Sequence, residues 1–321
     1  MLMHNETLSM TSEYKIPKDF YKEEVRCGFT VTSKRKKVWA IQLEILSKFK
    51  AICFKHNLKY YAISGTLLGA VRHHGFIPWD DDIDIGMPRM DFEIFLSVVS
   101  AELDNNPELI IQYETFDSNY ATPHARITNI NTTAYFPHVW KAGIDVAQGI
   151  FIDIFPYDNV PNSLWKKNVH RSVYKSVSYM LHDKQHKYTY ENSSFVAKIL
   201  RFCSRVLFSF ANVDNVFKWT QKYIQKYNSD LSCMRFGCIS SFYQLDSEIV
   251  EKDWFDEVIE LPFENTSVCC PKRYFEVLTH CYGDWEKPVK GGSLHEGCFF
   301  DPDKPYTFYK DKYMKIVSSS L

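Results

Sequence analysis

The chain has 321 residues, 45% of them hydrophobic and 24% charged, with a formal net charge of −1, which is the make-up of a globular protein with ample length for one elaborated domain or two small ones. No stretch approaches the roughly 18 consecutive apolar residues of a membrane-spanning helix. The charged Met1–Thr30 segment lacks the apolar centre of a secretory leader, so we expect a cytoplasmic protein. Nine cysteines, an odd number without a C-x-x-C pair, argue against a complete disulfide framework and for reduced thiols.

Taken in order, residues 1–33 form an N-terminal extension. Lys34 to His56 is expected to be an amphipathic helix, because Val38, Ile41, Ile45, Phe49 and Ile52 recur at helical spacing. Its basic start, Lys34 to Lys37, reads as a solvated end. A strand is expected over Leu58 to Ile63, followed by Ser64-Gly65-Thr66. There a small residue and a hydroxyl at a helix start can admit a phosphate to backbone N–H groups. Arg72, His73 and His74 then supply positive charge.

Four carboxylates follow, Asp80, Asp81, Asp82 and Asp84, set among Phe76, Ile77, Trp79, Ile83 and Ile85. Such close charges repel unless a cation or open solvent relieves them. If this stretch is a strand, Ile83 and Ile85 face a core while Asp82 and Asp84 project from the other side, with Asp80 in the same phase and Asp81 facing away. Residues two apart on a strand are separated by roughly 6.5–7 Å, so both carboxylates can converge on one ion. Oxygen ligands alone suit magnesium or manganese better than zinc. The plainer reading of an acidic run, a solvated turn, is opposed by its apolar flanks.

The stretch GTLLGAVRHHGFIPWDDDIDIGM, residues 65–87, resembles the signature of the LicD family, whose relatives include fukutin and fukutin-related protein. That resemblance implies an α+β nucleotidyltransferase fold of the polymerase β type, a mixed sheet flanked by helices, and a phosphotransferase activity.

Past Pro88, Arg89 to Ala101 is expected to be helical, and Leu109–Thr115, Ala125–Ile130 and Gly149–Phe155 to be strands. In GIFIDIFP, residues 149–156, Asp153 emerges between Ile152 and Ile154, and an isolated buried carboxylate is costly. If this strand neighbours the acidic one, about 4.8 Å away, Asp153 completes the metal site; otherwise it caps a turn toward Pro156. By the family resemblance Asp82 and Asp84 hold the metal, and Asp153 is a third ligand or the base that deprotonates the acceptor hydroxyl. Arg126, between these strands, is a candidate phosphate contact or the partner in a surface salt bridge. The catalytic core is thus drawn over 34–161.

Residues 162–229 carry twelve Lys and Arg against three carboxylates and are read as a basic helical insertion. Phe195, Ile199, Phe202, Val206 and Phe210 share one helical face there, with Lys198, Arg201 and Arg205 on another. Such a segment lies on an anionic membrane surface, meets a polyanionic acceptor, or forms a lid with a solvated basic face. No nucleic-acid motif accompanies the charge.

Residues 230–321 complete the core. Val258–Phe263 and Ser267–Cys270 suit a hairpin about Glu264-Asn265, followed by a helix from Pro271 to Tyr282. The stretch from Val258 to Pro288 resembles the closing segment of LicD proteins. His295 and FFDPDKPYTFY, residues 299–309, close over the pocket or finish the core. Cys233, Cys238, Cys269, Cys270, His280 and Cys281 are either a zinc site of irregular spacing or buried small hydrophobes.

The resemblance implies a metal-dependent transfer of a phospho-alcohol such as phosphocholine from a CDP-linked donor to a hydroxyl of a cell-surface glycan or glycolipid. Gly65 and Thr66 would sit against the donor phosphates, with Arg72 offsetting their charge and the basic insertion allowing peripheral contact with the membrane. Two alternatives use the same residues differently: a nucleotidyltransferase, which releases pyrophosphate, and a non-catalytic glycan-binding scaffold, which has no need of the carboxylates.

Overall fold

The computed structural model describes residues 15–310 apart from 118, 121, 137–138, 140–143, 186–198, 200–205, 207–211, 240–245 and 291–297. A hairpin of β1 (Glu24–Arg26) and β2 (Phe29–Val31) leads into α1 (Ser33–Lys55). The first turn of α1 is capped by Thr32, whose Oγ1 accepts from the Arg35 amide at 3.2 Å, a bond of a kind worth about 1 kcal/mol. The basic start of α1 is not simply solvated. Lys36 is buried, pairs with Glu24 and lies over the rings of Phe20 and Trp39, while Arg35 reaches back into the acidic loop.

The chain continues through β3 (Tyr61–Ala62), α2 (Ser64–His73), β4 (Asp84–Pro88), α3 (Arg89–Leu103), β5 (Leu109–Gln112), β6 (Ala125–Asn129), β7 (Thr133–Tyr135) and β8 (Ile150–Val160). The expected strands at 58–63 and 109–115 are therefore shorter than the apolar runs that suggested them. β8 is longer, running five residues past Phe155 and through Pro156. Pro156, with no N–H to give, falls after the β6 pairing ends at Ile154 and before the β9 pairing begins at Asp158.

After β8 come α4 (Leu164–Gln185), α5 (Val213–Ile224), β9 (Arg235–Gly237), β10 (Ile249–Glu251), β11 (Val258–Phe263), β12 (Thr266–Pro271), α6 (Tyr274–Tyr282) and β13 (Phe299–Asp301). Pro271 ends β12 rather than leading α6. The β11–β12 turn falls at Glu264-Asn265 as expected, with Glu264 at φ 53. Of the apolar face proposed over 195–210, Phe195, Phe202 and Phe210 lie outside the described residues, as does His295; Ile199 and Val206 are exposed.

The architecture is α+β, built on a seven-stranded mixed sheet in which β10-β9-β8-β4-β3 form the main path and β6, then β5, extend it from β8. β4 and β8 run parallel and the remaining pairs are antiparallel. Every position of β8 is buried, as a strand covered on both faces must be. α1 packs on β8 and β6, and α3 on β4, β5 and β8. The core includes Trp39 stacked on Phe76, with ring centroids 4.6 Å apart and 7° between planes. That pair ties α1 to the residues just before the acidic run.

Behind the sheet, Arg89 at the start of α3 grips Asp158 of β8 through Nε to Oδ1 at 2.8 Å and Nη2 to Oδ2 at 2.6 Å. Asn228 Nδ2 donates to the same Oδ1 at 2.7 Å, so this wholly buried carboxylate also anchors the turn after α5.

Candidate active site

The site grows from the backbone of residues 80–83, which is irregular and precedes β4. Irregular backbone inside a fold needs partners for its carbonyls, and α1 provides them. Arg35 Nη1 and Trp39 Nε1 donate to the Asp80 carbonyl at 2.7 and 3.0 Å, and Gln42 Nε2 donates to the Asp81 carbonyl at 2.6 Å. These three residues fall at i, i+4 and i+7 on one helical face. From the other side, the Ile83 carbonyl accepts from the Asp153 amide at 2.9 Å, and the Asp84 amide donates to Thr66 Oγ1 at 2.8 Å.

Because the loop is not a strand, the alternation expected of it holds only in part. Ile83 and Ile85 are fully buried, as expected. Asp81 does not turn away: carboxylate oxygens of Asp80, Asp81 and Asp82 all lie within 4.8 Å of one another. Asp84 opens β4 and stands in register with Asp153 of parallel β8, so the two carboxylates share one face of the sheet. The acidic groups thus run in sequence from Asp80 through Asp82 and Asp84 to Asp153.

Their electrostatics follow. Burial, then repulsion from Asp84, Asp80 and Asp81, pushes the Asp82 carboxyl well above the ordinary range. Burial, then Asp153, Asp80 and Glu248, does the same to Asp84, against a smaller opposing pull from Arg126. Glu248, just ahead of β10, is itself raised by burial. Carboxylates held together under this much repulsion and desolvation fit a divalent cation, which would favour their ionised forms and use oxygen donors of this kind.

Asp153 is 4% exposed and gripped by Arg126, with Nε to Oδ1 at 2.6 Å and Nη2 to Oδ2 at 2.8 Å, while His124 Nε2 stands 3.6 Å from Oδ1. The Arg126 guanidinium also lies over the Phe151 ring, 3.5 Å from its centroid. Arg126 is therefore bound to Asp153 in a bidentate pair, the salt-bridge reading of this residue, though inside the fold.

Gly65 sits where a methyl group would come 2.5 Å from Asp80 Oδ2, so any side chain there would have to displace the Asp80 carboxylate. Ser64, the first residue of α2, is held at φ 48, a backbone conformation that a side chain disfavours. Thr66 is buried and its hydroxyl accepts from Asp84, so it joins α2 to β4. Arg72 reaches across to the segment after α6, donating from Nη1 to the Trp285 carbonyl at 2.6 Å. The positive charge expected of its neighbour is absent at neutral pH: burial, then Arg72, Arg26 and His74, lowers His73 to about 4.

Two clefts open beside the acidic loop. The first, about 340 Å³, has Gly65 in its wall together with Arg72, Trp79, Asp80, Tyr282, Trp285 and Lys287. The second, about 260 Å³, is bounded by Lys34, Arg35, Asp81, Cys298, Phe299 and Phe300. The sequence pattern did not point to the α1 contacts or to these cleft walls. The signal available was Gln42, a polar residue on the buried side of an amphipathic helix.

The cysteines proposed as zinc ligands form no metal-sized group among the described residues. Cys238 and Cys270 lie in the apolar core, Cys233 is buried, and the Cys281 thiol donates to the Ser247 carbonyl at 3.1 Å.

Comparison with known proteins agrees with this picture. A match to the family described as the LicD/FKTN/FKRP nucleotidyltransferase domain covers residues 57–191, which include the acidic loop, β4 and β8. The chain is 32% identical over 256 residues to the lipopolysaccharide cholinephosphotransferase LicD of Haemophilus influenzae, an alignment spanning 76% of this chain and 88% of that protein. Shorter matches reach uncharacterized proteins of Rickettsia prowazekii, 54% identical over 50 residues (16% of this chain and 18% of that one), and Rickettsia typhi, 65% over 37 residues (12% of each).

Proposed function

The chain belongs to the LicD family of transferases, and on that premise we propose that it moves phosphocholine from CDP-choline to a hydroxyl of a lipopolysaccharide. The observation that carries the reading is the 32% identity to a lipopolysaccharide cholinephosphotransferase across 88% of that protein. The clustered carboxylates beside a cleft of mixed basic and aromatic character support it.

In this reading the first cleft takes the donor. Gly65 at the start of α2 stands in the cleft wall, and Arg72 and Lys287 offset the phosphate charge. Trp79, Tyr282 and Trp285 in the same wall are the aromatic residues that would receive the quaternary ammonium of choline. Asp82 and Asp84 would hold magnesium or manganese, with Asp80 within reach and Asp153 as the third ligand. When bound, the cation neutralises phosphate charge and orients the phosphate for in-line attack. Arg126 fixes the Asp153 carboxylate by occupying both its oxygens, which suits a positioned ligand better than a proton acceptor. Arg35, Trp39 and Gln42 hold the loop that carries the other carboxylates.

The same proposal includes contact with an anionic membrane surface. Leu164, Trp165 and Val169 of α4 are exposed, as are Leu231 and Met234 beside them, with Lys166 among them. Asn162 joins the two segments, donating to the Ser232 carbonyl at 2.6 Å and accepting from the Met234 amide at 3.0 Å.

The test follows CMP release from CDP-choline with magnesium and lipopolysaccharide, for the wild-type protein and Asp82→Asn. Magnesium-dependent CMP from the wild type and a loss of at least a hundredfold in the variant are expected. Full activity in Asp82→Asn would refute the assigned site. Pyrophosphate from a nucleoside triphosphate, with no CMP, would identify a nucleotidyltransferase instead.

A further inference from the structure

Phosphoryl transfer in line requires that the acceptor oxygen approach phosphorus from the side opposite the leaving group, so donor and acceptor must reach one point from two directions. The acidic loop meets that requirement. Asp80 lines the first cleft and Asp81, the next residue, lines the second, while oxygens of the two carboxylates lie within 4.8 Å of each other. Cys298, in the wall of the second cleft, has its thiol raised by burial first and then by Asp81, with Arg126 pulling the other way.

The walls of the second cleft differ from those of the first. Phe299 and Phe300 of β13 line it and are half-buried, and β13 is fixed by pairing with β7. Lys34 is exposed at the rim, its ammonium 5.1 Å from the Phe299 ring centroid. Arg35 is committed to the Asp80 carbonyl, and Asp301 beyond the phenylalanines feels the Lys34 charge but is already engaged by Tyr309. At about 260 Å³ the space suits a sugar ring and its substituent better than a nucleotide.

We propose that this second cleft is the acceptor subsite and that it takes a sugar bearing an anionic group, its ring against Phe299 and Phe300 and its phosphate or carboxylate on Lys34. The inference rests on the phosphocholine-transfer reading given above. In the step it serves, the acceptor hydroxyl oxygen forms a new P–O bond and its proton passes to solvent. The P–O bond to CMP breaks, and CMP leaves with the electron pair.

The experiment pairs kinetics with binding for the wild type, Lys34→Glu and Phe299→Leu. The probes are CDP-choline and a deacylated lipopolysaccharide core oligosaccharide, used before and after enzymatic removal of its phosphates. Lys34→Glu, on the exposed rim, keeps the test valid if Phe299→Leu fails to fold. Expected are a rise of at least fivefold in KM for the oligosaccharide and the same loss of its affinity by calorimetry, with the Kd for CDP-choline within twofold of wild type. Oligosaccharide affinity unchanged in Lys34→Glu, or an equal loss of donor affinity, overturns the proposal. Dephosphorylated oligosaccharide that binds the wild type more weakly, and no longer distinguishes Lys34→Glu, assigns the anion to phosphate; a discrimination that survives dephosphorylation assigns it to a sugar carboxylate. If the wild type releases no CMP yet binds the oligosaccharide in a manner that depends on Lys34, the phosphocholine reading fails and the subsite stands.

Discussion

Asp82 and Asp84 show how a single residue's environment becomes a property that can be measured. Both carboxyls are held well above the ordinary range, first by burial and then by neighbouring carboxylates. An acid whose pKa is raised by folding contributes stability that is complete below its unfolded value and is lost as pH rises through the folded value. The metal-free protein is therefore expected to lose thermal stability as pH rises above the ordinary carboxylate value of about 4. His73 has the opposite sign, since a histidine lowered to about 4 opposes folding only as pH falls below its ordinary value near 6.5. Working above pH 6.5 separates the two. Metal binding requires the ionised carboxylates, so the rise in melting temperature on adding manganese is expected to be larger at pH 8 than at pH 6.5. Asp82→Asn is expected to flatten both dependences. Thermal melts across this pH range, with and without manganese, check the claim, and a metal-free protein that melts higher at pH 8 than at pH 6.5 contradicts it.

At the scale of elements, the parallel β4–β8 pair brings the site together, and the buried Arg89–Asp158 pair fixes α3 to the far end of β8. Removing one partner of a buried ion pair leaves the other charge uncompensated, at a cost of about 3–5 kcal/mol. Asp158→Ala is expected to lower stability by that amount in urea unfolding, because it leaves buried Arg89 with only the half-exposed Glu93 carboxylate, 3.2 Å away, and also removes the acceptor of Asn228. A change below about 1 kcal/mol would show that the charge is relieved in another way. These elements also mark what could be read from the chain. Ile83, Ile85, Ile152 and Ile154 are the buried residues that their alternation indicates, and Asp153 does emerge beside Asp84. The phase of Asp81 was not legible, because periodicity describes a strand and residues 80–83 are held instead by side chains of α1. Nor was the length of β8, since proline normally ends a strand and Pro156 is accommodated only by the gap between β6 and β9. The cleft walls join α1, α2, α6 and β13, and their juxtaposition is a matter of tertiary packing that no local pattern records.

At the scale of the whole molecule, the described residues contain no helix long and apolar enough to cross a membrane. A lipopolysaccharide acceptor would nevertheless sit in one, so access depends on the protein's surface. The exposed set Leu164, Trp165, Leu231 and Met234 is larger than scattered surface apolar residues require, and Trp165 and Leu231 are 73% and 94% exposed. Lys167 and Arg171 on the same helix are paired with Asp246, so in the proposed membrane contact the exposed Lys166 is the cation of this patch that would face lipid headgroups. Fully burying a large apolar side chain is worth about 1.5–3 kcal/mol, so replacing Trp165 and Leu231 together removes enough to weaken partitioning by tenfold or more even if each is only partly inserted. The double variant Trp165→Glu and Leu231→Glu is expected to stay in the supernatant when sedimented with phosphatidylglycerol vesicles that carry down the wild type. Its turnover of a deacylated core oligosaccharide is expected to be unchanged, because neither residue lines either cleft. Equal sedimentation of the variant and the wild type would mean that another face meets the lipid. Loss of activity on the water-soluble acceptor would mean that the patch supports the catalytic fold rather than its docking.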